Sequence, residues 1–179
     1  MRTIEGVRMT DSIRPVGDDP VDWKISNWEQ ILPGTAFDRI EAAARLLQLA
    51  DALNEAMDLI AIQEGLVNQS DYQVLSVLRL AHHEGRLMTA TDVANRLDMT
   101  TATMVNRVDR LERLGYAERT PHPTDRRAAG LAITPEGTAC AQRMVLRRTE
   151  ERERRLAVLT DEERAALTAV LRKLATAWA

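Results

Sequence analysis

Two short amphipathic segments followed by a hairpin pattern constrain the fold of this chain most. In "TATDVANRLDM", Thr89 is a candidate N-cap, Asp92 occupies the third helical position, and Val93, Ala94 and Leu97 form a short apolar face. In "TTATMVNRVDRLERLGY", a second helix begins near Thr100 and ends at Gly115, with an inner stripe of Met104, Val108 and Leu111. Two helices about three residues apart are typical of a helix-turn-helix.

The next stretch predicts a β-hairpin. "YAERT" and "AGLAIT" have strand-like patterns, and the loop "PHPTDRR" joins them. A hairpin directly after the second helix of a helix-turn-helix is a wing. The segment around these elements, 66–134, is therefore expected to form a winged helix-turn-helix domain with a two- or three-stranded β-wing.

Helical patterns flank this domain on both sides. Residues 1–18 lack periodicity and are predicted to be a disordered tail. Over 19–65, "DPVDWKISNWEQIL" predicts a short helix, and a long helix over 36–64 places Ile40, Leu47, Met57 and Ile60 on one face. Over 135–179, a charged helix precedes one with the stripe Leu167, Val170, Leu171, Leu174 and Trp178. The predicted fold class is mostly α.

Composition narrows the functional class. The single cysteine, Cys140, excludes an internal disulfide and fits a reducing compartment, where we expect it to be buried at the dimer interface rather than redox-sensing. The chain shows no signal-peptide pattern and no run of 18 apolar residues, which predicts a soluble cytoplasmic protein without membrane contact. Residues 1–70 carry 6 basic and 12 acidic side chains, whereas 100–130 carry 6 and 4, so the positive excess begins at the second helix.

The sequence does not predict an enzyme, a cofactor or a metal site. It shows no nucleophile–base pair, glycine-rich phosphate loop or metal-ligand spacing. His82 and His83 are adjacent, and neighbouring helical side chains diverge by about 100°, so we interpret them as a helix end near solvent. The Arg/Glu-rich run over 143–159 is interpreted as a solvated helix face.

These residues resemble the winged helix-turn-helix of the MarR family of bacterial transcription regulators. The resemblance rests on Ala94, Leu97, "MVNRVDRLERLGYAER" and "HPTDRRAAGLAITPEG", and it extends over about 20–178. In that family the long helices at the two chain ends build a homodimer. The resemblance thus assigns dimerisation to 19–65 and 135–179, and it implies a ligand-responsive repressor that binds a pseudo-palindromic operator.

A recognition helix in the major groove needs short side chains at its start, and an amide or guanidinium to read bases. Here Asn106 can read adenine and Val105 can touch a thymine methyl group. The candidate DNA contacts on this helix are Thr100, Thr101, Ala102, Thr103, Val105, Asn106 and Arg110. The alternative is an ordinary polar surface helix.

Arg126 and Arg127 at the predicted wing tip can neutralise phosphates or enter a narrow minor groove. Asp125 would repel phosphate, so we expect it to stabilise the wing by pairing with an arginine, with Arg110 as a candidate. The alternative is a solvated turn. Thr89 can bind a phosphate at its helix N-terminus or serve only as a cap.

A finer resemblance concerns the PecS-like, urate-responsive branch of the family. That branch uses a tryptophan on an extra N-terminal helix, an Asp and an Arg before the helix-turn-helix, and an Arg in the recognition helix. Trp28 and Arg107 match, whereas the Asp position is Gln73 and the Arg position is Leu80, beside Arg79. The resemblance implies a pocket near Trp28, Gln73, Arg79 and Arg107 for an anionic or aromatic effector other than urate. Trp28 can instead simply join its helix to the long one.

The sequence therefore predicts a homodimeric repressor of double-stranded operator DNA that a small molecule releases. The alternative is a winged-helix module that binds another protein without touching DNA. Arg126 and Arg127 favour DNA over this alternative.

Overall fold

The computed structural model describes residues 19–121 and 129–178, without the side chains at 38 and 39. Its helices are α1 (Pro20–Ile31), α2 (Glu41–Gln63), α3 (Gln69–His83), α4 (Ala90–Arg96), α5 (Thr101–Arg113), α6 (Pro135–Leu156) and α7 (Asp161–Trp178). Its strands are β1 (Met88–Thr89), β2 (Ala117–Pro121) and β3 (Ala129–Ile133). The predicted class, mostly α with a small winged sheet, is confirmed. The tail 1–18 and the wing tip 122–128 lie outside the described residues.

The described chain divides into two compact units, and the boundary between Ala52 and Leu53 falls within α2. In the first unit, Asp19 caps α1 by accepting a hydrogen bond from the Val21 amide at 2.8 Å, and Pro20 occupies the first helical position. The predicted start of α2 at 36 is wrong, because a 3₁₀ turn over Phe37–Ile40 precedes the helix at Glu41. Such turns are common at helix N-termini.

The second unit encloses the hydrophobic core. Its buried residues come from the end of α2, from α3 to α6 and from the sheet. The fully buried side chains include Val74 and Leu75 of α3, Val93 of α4 and Met144 of α6. α3 packs on α5, α6 and β3, and α4 packs on α5. The helix-turn-helix formed by α4 and α5 therefore rests on α3 and the sheet.

The sheet is antiparallel with the order β1-β3-β2. Leu131 of β3 lies opposite Met88 on one side and Arg119 on the other. β2 begins two residues after Gly115, whose φ of 72° lies in the left-handed region that glycine tolerates. The two residues of β1 supply the third strand of the wing.

Of the two apolar faces predicted along α2 and α7, the first is exposed in part and the second is exposed along nearly its whole length. The stripe expected along α2 is buried at Met57 and Ile60, but Ile40 and Leu47 are 53% and 67% exposed. None of the described residues of α7 is buried, and its stripe residues Val170 and Trp178 are 56% and 70% exposed. These faces are apolar without being part of the core.

Candidate nucleic-acid interface

The N-terminal half of α5 presents short side chains to solvent. Thr100 caps the helix by accepting a hydrogen bond from the Thr103 amide at 3.2 Å. The stripe of Met104, Val108 and Leu111 is completely buried and orients the helix. The opposite face is exposed and carries Thr101, Ala102, Thr103, Val105 and Asn106. Five of the predicted contacts thus share one accessible face, as a recognition helix requires.

Arg110 does not lie free on that face as the sequence analysis predicts. Its Nε and Nη2 donate to the two carboxylate oxygens of Asp71 at 2.8 and 2.6 Å. The contact raises the pKa of Arg110, chiefly through the hydrogen bond to Asp71. Arg110 is therefore paired with Asp71 of α3, and its contacts with DNA and with Asp125 stay predictions. Asp125 itself lies outside the described residues, as do Arg126 and Arg127.

Asp71 also accepts a hydrogen bond from a second arginine of α5. Arg107 donates from Nη1 to Asp71 Oδ1 and to Asn68 Oδ1, each at 3.2 Å. Asp71 is completely buried. Asn68 caps α3 by accepting hydrogen bonds from the Ser70 and Asp71 amides, but no role for the Asp71 carboxylate follows from the sequence pattern. The signal that could have found it is an acidic residue in α3 opposite two arginines one turn apart in α5.

Thr89 forms a capping box at the start of α4. Its Oγ accepts from the Asp92 amide at 3.2 Å, and Asp92 Oδ2 accepts from the Thr89 amide and hydroxyl at 2.8 and 2.7 Å. The Asp92 carboxylate thus occupies the helix N-terminus, where an anion would bind. These contacts correspond to the cap interpretation of Thr89, and its phosphate role stays a prediction.

An ion-pair cluster joins the wing to α5. Arg119 of β2 donates from Nη2 to Asp109 Oδ1 at 2.7 Å, and from Nη1 to Glu112. The Arg119 amide also donates to Glu112 Oε1 at 3.1 Å. Hydrogen bonding to Asp109 is the main cause that raises the pKa of Arg119. The sequence analysis missed this cluster, whose signal is the Asp109–Glu112 spacing of one helical turn ahead of a strand arginine.

The four residues predicted for a ligand pocket lie in different surroundings. Trp28 belongs to the first unit and is half exposed, and Gln73 on α3 is exposed. Arg79 borders a groove of about 400 Å³ between α3 and α6, with Tyr72, Leu80, Val145 and Leu146 among the lining residues. Arg107 faces Asp71 rather than this groove.

One arginine of the Arg/Glu-rich run is buried, so the prediction of a solvated face is wrong there. Arg148 is 6% exposed, and its guanidinium carbon lies 4.6 Å above the centre of the Tyr72 ring. Its Nη1 is buried without a hydrogen-bond partner among the described residues. Burial is the main cause that lowers the pKa of Arg148, and nearby Arg152 adds to the effect. The aromatic face compensates part of the cost of burying this cation.

The cysteine thiol is shielded from solvent, and the candidate metal ligands among the described residues are not clustered. Cys140 is completely buried, and burial raises the pKa of its thiol above the ordinary value. No group of three or more His, Cys, Asp or Glu within 19–121 and 129–178 is placed to hold a metal ion. None of the helices in the described part of the chain is long and apolar enough to cross a membrane.

Comparison with known proteins finds similarity to bacterial transcription regulators. The model of the MarR family matches residues 67–128. The chain is 24% identical over 147 residues to the HTH-type transcriptional regulator PecS of Dickeya dadantii, covering 82% of this chain and 87% of PecS. It is 30% identical over 108 residues to the regulator PrsX of Escherichia coli, covering 60% of this chain and 64% of PrsX, just under two thirds of that protein.

Solved structures agree with the fold. YusO of Bacillus subtilis superposes with a TM-score of 0.65 at 25% identity, over 80% of this chain and 99% of YusO. The MepR–DNA complex of Staphylococcus aureus gives a TM-score of 0.65 at 20% identity, over 77% of this chain and 98% of that chain.

Proposed function

The chain belongs to the MarR family of transcription regulators. On this basis, we propose that it binds a pseudo-palindromic operator as a homodimer and represses transcription until a small molecule releases it. The observation that carries the proposal is the exposed face of α5. Five short or polar side chains, Thr101 to Thr103 with Val105 and Asn106, stand opposite a completely buried stripe. A helix of this kind fits the major groove.

Each subunit would read one half-site, with the two centres separated by about one helical turn of DNA, roughly 34–36 Å. Asn106 would read adenine, and Val105 would contact a thymine methyl group. Arg126 and Arg127 of the wing would contact phosphates or the minor groove. The structural neighbour MepR was solved bound to DNA, which supports this mode of binding for the present chain.

The exposed face of α7 supports the homodimer. Its stripe consists of aliphatic and aromatic side chains, none of them buried within the described chain. Apolar surface of this extent on a helix is characteristic of an interface between subunits. The positions of the two recognition helices would then depend on how two such faces pack.

The effector would be an anionic or aromatic molecule bound near Arg79. Arg79, at the edge of an apolar groove, supports a ligand that combines an apolar body with negative charge. Such a ligand needs only a higher affinity for the dimer that cannot bind DNA.

The experiment that tests the function is a mobility shift on the intergenic DNA upstream of the gene, with excess non-specific competitor and a series of salt concentrations. We expect a discrete complex with one dimer per site, whose log affinity falls linearly with log salt. Asn106→Ala should relax the sequence preference, whereas Arg127→Ala should weaken binding to every sequence and flatten the salt slope by about one unit. If both variants bind the native operator as the parent does, the proposed recognition surface is wrong.

A protein-interaction module is the competing interpretation, and the same assay distinguishes it. Such a module predicts no salt-dependent complex at micromolar protein, either with upstream DNA or with duplexes selected from a random library.

A further inference from the structure

A carboxylate buried behind the recognition helix uses both of its oxygens on that helix. Asp71 Oδ2 accepts from Arg110 Nε at 2.8 Å, and Oδ1 accepts from Arg110 Nη2 at 2.6 Å. Arg107 Nη1 adds a contact to Oδ1 at 3.2 Å, and the Val67 amide adds one to Oδ2 at 3.3 Å. The Asp71–Arg110 contact is bidentate, which makes it directional as well as strong.

The two arginines hold α5 at two points. Arg107 and Arg110 lie three residues apart and therefore nearly one turn apart on the same side of the helix. The apolar stripe of α5 keeps its inner face in the core, but apolar packing is not directional. The paired hydrogen bonds to one fixed carboxylate restrict both rotation about the helix axis and sliding along it. Asn106 is adjacent to Arg107 in the chain, so fixing α5 also fixes the direction in which the Asn106 side chain projects.

Burial makes this contact difficult to exchange. Asp71 has no solvent exposure, while the side chains of Arg107 and Arg110 are 17% and 28% exposed. Removing one partner from a buried ion pair leaves an uncompensated charge. Arg107 Nε is already buried without a hydrogen-bond partner among the described residues. One carboxylate thus accepts hydrogen bonds from two guanidinium groups.

We infer that Asp71 is a positioning residue for DNA recognition, which sets the orientation of α5 through Arg110 and Arg107. Arg110 then acts through Asp71 and not as a phosphate contact. The inference rests on the proposed function, because it concerns how the recognition helix is aimed at base edges.

The test compares the parent with Asp71→Asn, Arg110→Gln and the double variant on two duplexes, the operator and a scrambled sequence of equal length and composition. The measured quantity is the ratio of the two affinities. Each single variant should lower this ratio by about 5- to 150-fold, which is the loss of discrimination expected when one contact to a base is lost. The double variant should lower it no further than the larger single effect, because both changes remove the same contact.

Salt dependence separates positioning from direct contact. If Arg110 acts through Asp71, Arg110→Gln keeps the parent's salt slope, whereas a lost phosphate contact flattens the slope by about one unit. Glu153→Gln, on an exposed part of α6, is the matched control for the loss of one negative charge and should leave the affinity ratio unchanged. An unchanged ratio in Asp71→Asn, or a flattened slope with an unchanged ratio in Arg110→Gln, would overturn the inference.

Amide hydrogen exchange gives a readout that does not depend on DNA. In free Asp71→Asn, the amides of α5 should exchange faster than in the parent, while those of α7 should not change. Unchanged exchange in α5 overturns the inference even if the parent binds no operator. Failure of the parent to bind any duplex, with faster exchange in α5 of the variant, would instead count against the proposed function alone.

Discussion

Glu64, near the end of α2, anchors α6 through two arginines. Arg143 Nε donates to its Oε2 at 2.8 Å, and Arg147 Nη1 donates to its Oε1 at 3.0 Å. The hydrogen bond from Arg143 is the main cause that lowers the pKa of Glu64 below its ordinary value of 4.5. A carboxylate whose pKa is lower in the folded state stabilises the fold above the unfolded-state pKa. That stabilisation is lost as the pH falls through the folded-state pKa.

Glu64→Gln should therefore lower the free energy of unfolding near pH 7 by about 1 kcal/mol, because the arginine partners are partly exposed. The difference between parent and variant should shrink as the pH falls below about 4.5, the ordinary pKa of a glutamate. Urea unfolding at several pH values and one protein concentration measures both effects. A difference that stays constant from pH 7 to pH 3 would show that the ion pairs contribute nothing.

Single residues also show where sequence reasoning reaches its limit. The cap at Thr89 and the start of a helix near Thr100 follow from local spacing, and the structure confirms both. The contact between Asp71 and Arg110 joins residues 39 positions apart, so no local pattern reveals it. Arg148 lies in a run rich in arginine and glutamate that indicates a solvated face, and only the packing of the fold, with Tyr72 beneath it, shows that this arginine is buried.

At the scale of elements, two glycines fix how segments approach each other. A Cβ atom at Gly137, in the first turn of α6, would lie 2.0 Å from the Tyr116 carbonyl oxygen. A Cβ atom at Gly130 of β3 would lie 2.2 Å from Leu87 Cδ2. The first obstacle is backbone, whereas the second is the end of a flexible side chain.

Gly137→Ala should consequently destabilise the protein more than Gly130→Ala does. Overpacking of this kind costs about 1–3 kcal/mol, and the cost at Gly137 should lie at the upper end because the Tyr116 backbone cannot rotate away. Chemical unfolding of the two variants side by side makes each the control for the other. Equal losses of stability would mean that α6 shifts as easily as the Leu87 side chain.

The wing and the recognition helix should act as one element because Arg119 joins them. In Arg119→Ala, Asp109 and Glu112 lose their shared partner, and two uncompensated carboxylates remain on α5. These ion pairs are partly exposed, so the loss of stability should be at most about 1 kcal/mol.

In Arg119→Ala, the free energy of DNA binding should weaken by more than the free energy of unfolding, because the carboxylates repel phosphate and the wing loses its orientation. Mobility shifts, with unfolding curves as the control for stability, test the expectation. Arg113→Ala, which removes a nearby exposed arginine whose Nε donates to the Asp109 carbonyl oxygen, is the matched change in charge. If the two variants lose equal affinity, Arg119 contributes charge and not orientation.

Helices and strands are easier to predict from the sequence than the contacts between them. Caps and glycines mark the ends of α4 and α5, and the strand patterns place β2 and β3, because these signals are local. The sequence does not locate β1, since two residues carry no periodicity and pair only because β3 lies beside them. The wing tip with Arg126 and Arg127 lies outside the described residues, so its role in DNA binding stays a prediction.

For the whole molecule, the uncovered stripe of α7 is the feature that connects fold to function. A helix without a buried residue gains little from its own chain, and helices in proteins depend mainly on tertiary packing. Pairing of two α7 stripes would bury residues such as Leu167, Val170 and Leu171. The same pairing would fix the separation of two recognition helices, which operator binding requires.

Val170→Asp should therefore raise the dimer dissociation constant by at least about a hundredfold, because a symmetric interface would bury the new carboxylate twice. Ala169→Asp places the same charge on the neighbouring residue, outside the stripe, and should leave the dimer intact. Sedimentation velocity over a range of concentrations measures the dissociation, and mobility shifts follow the operator complex. Operator affinity should fall with dimerisation in Val170→Asp while helix content remains. A dimer as stable as that of Ala169→Asp would mean that another surface joins the subunits.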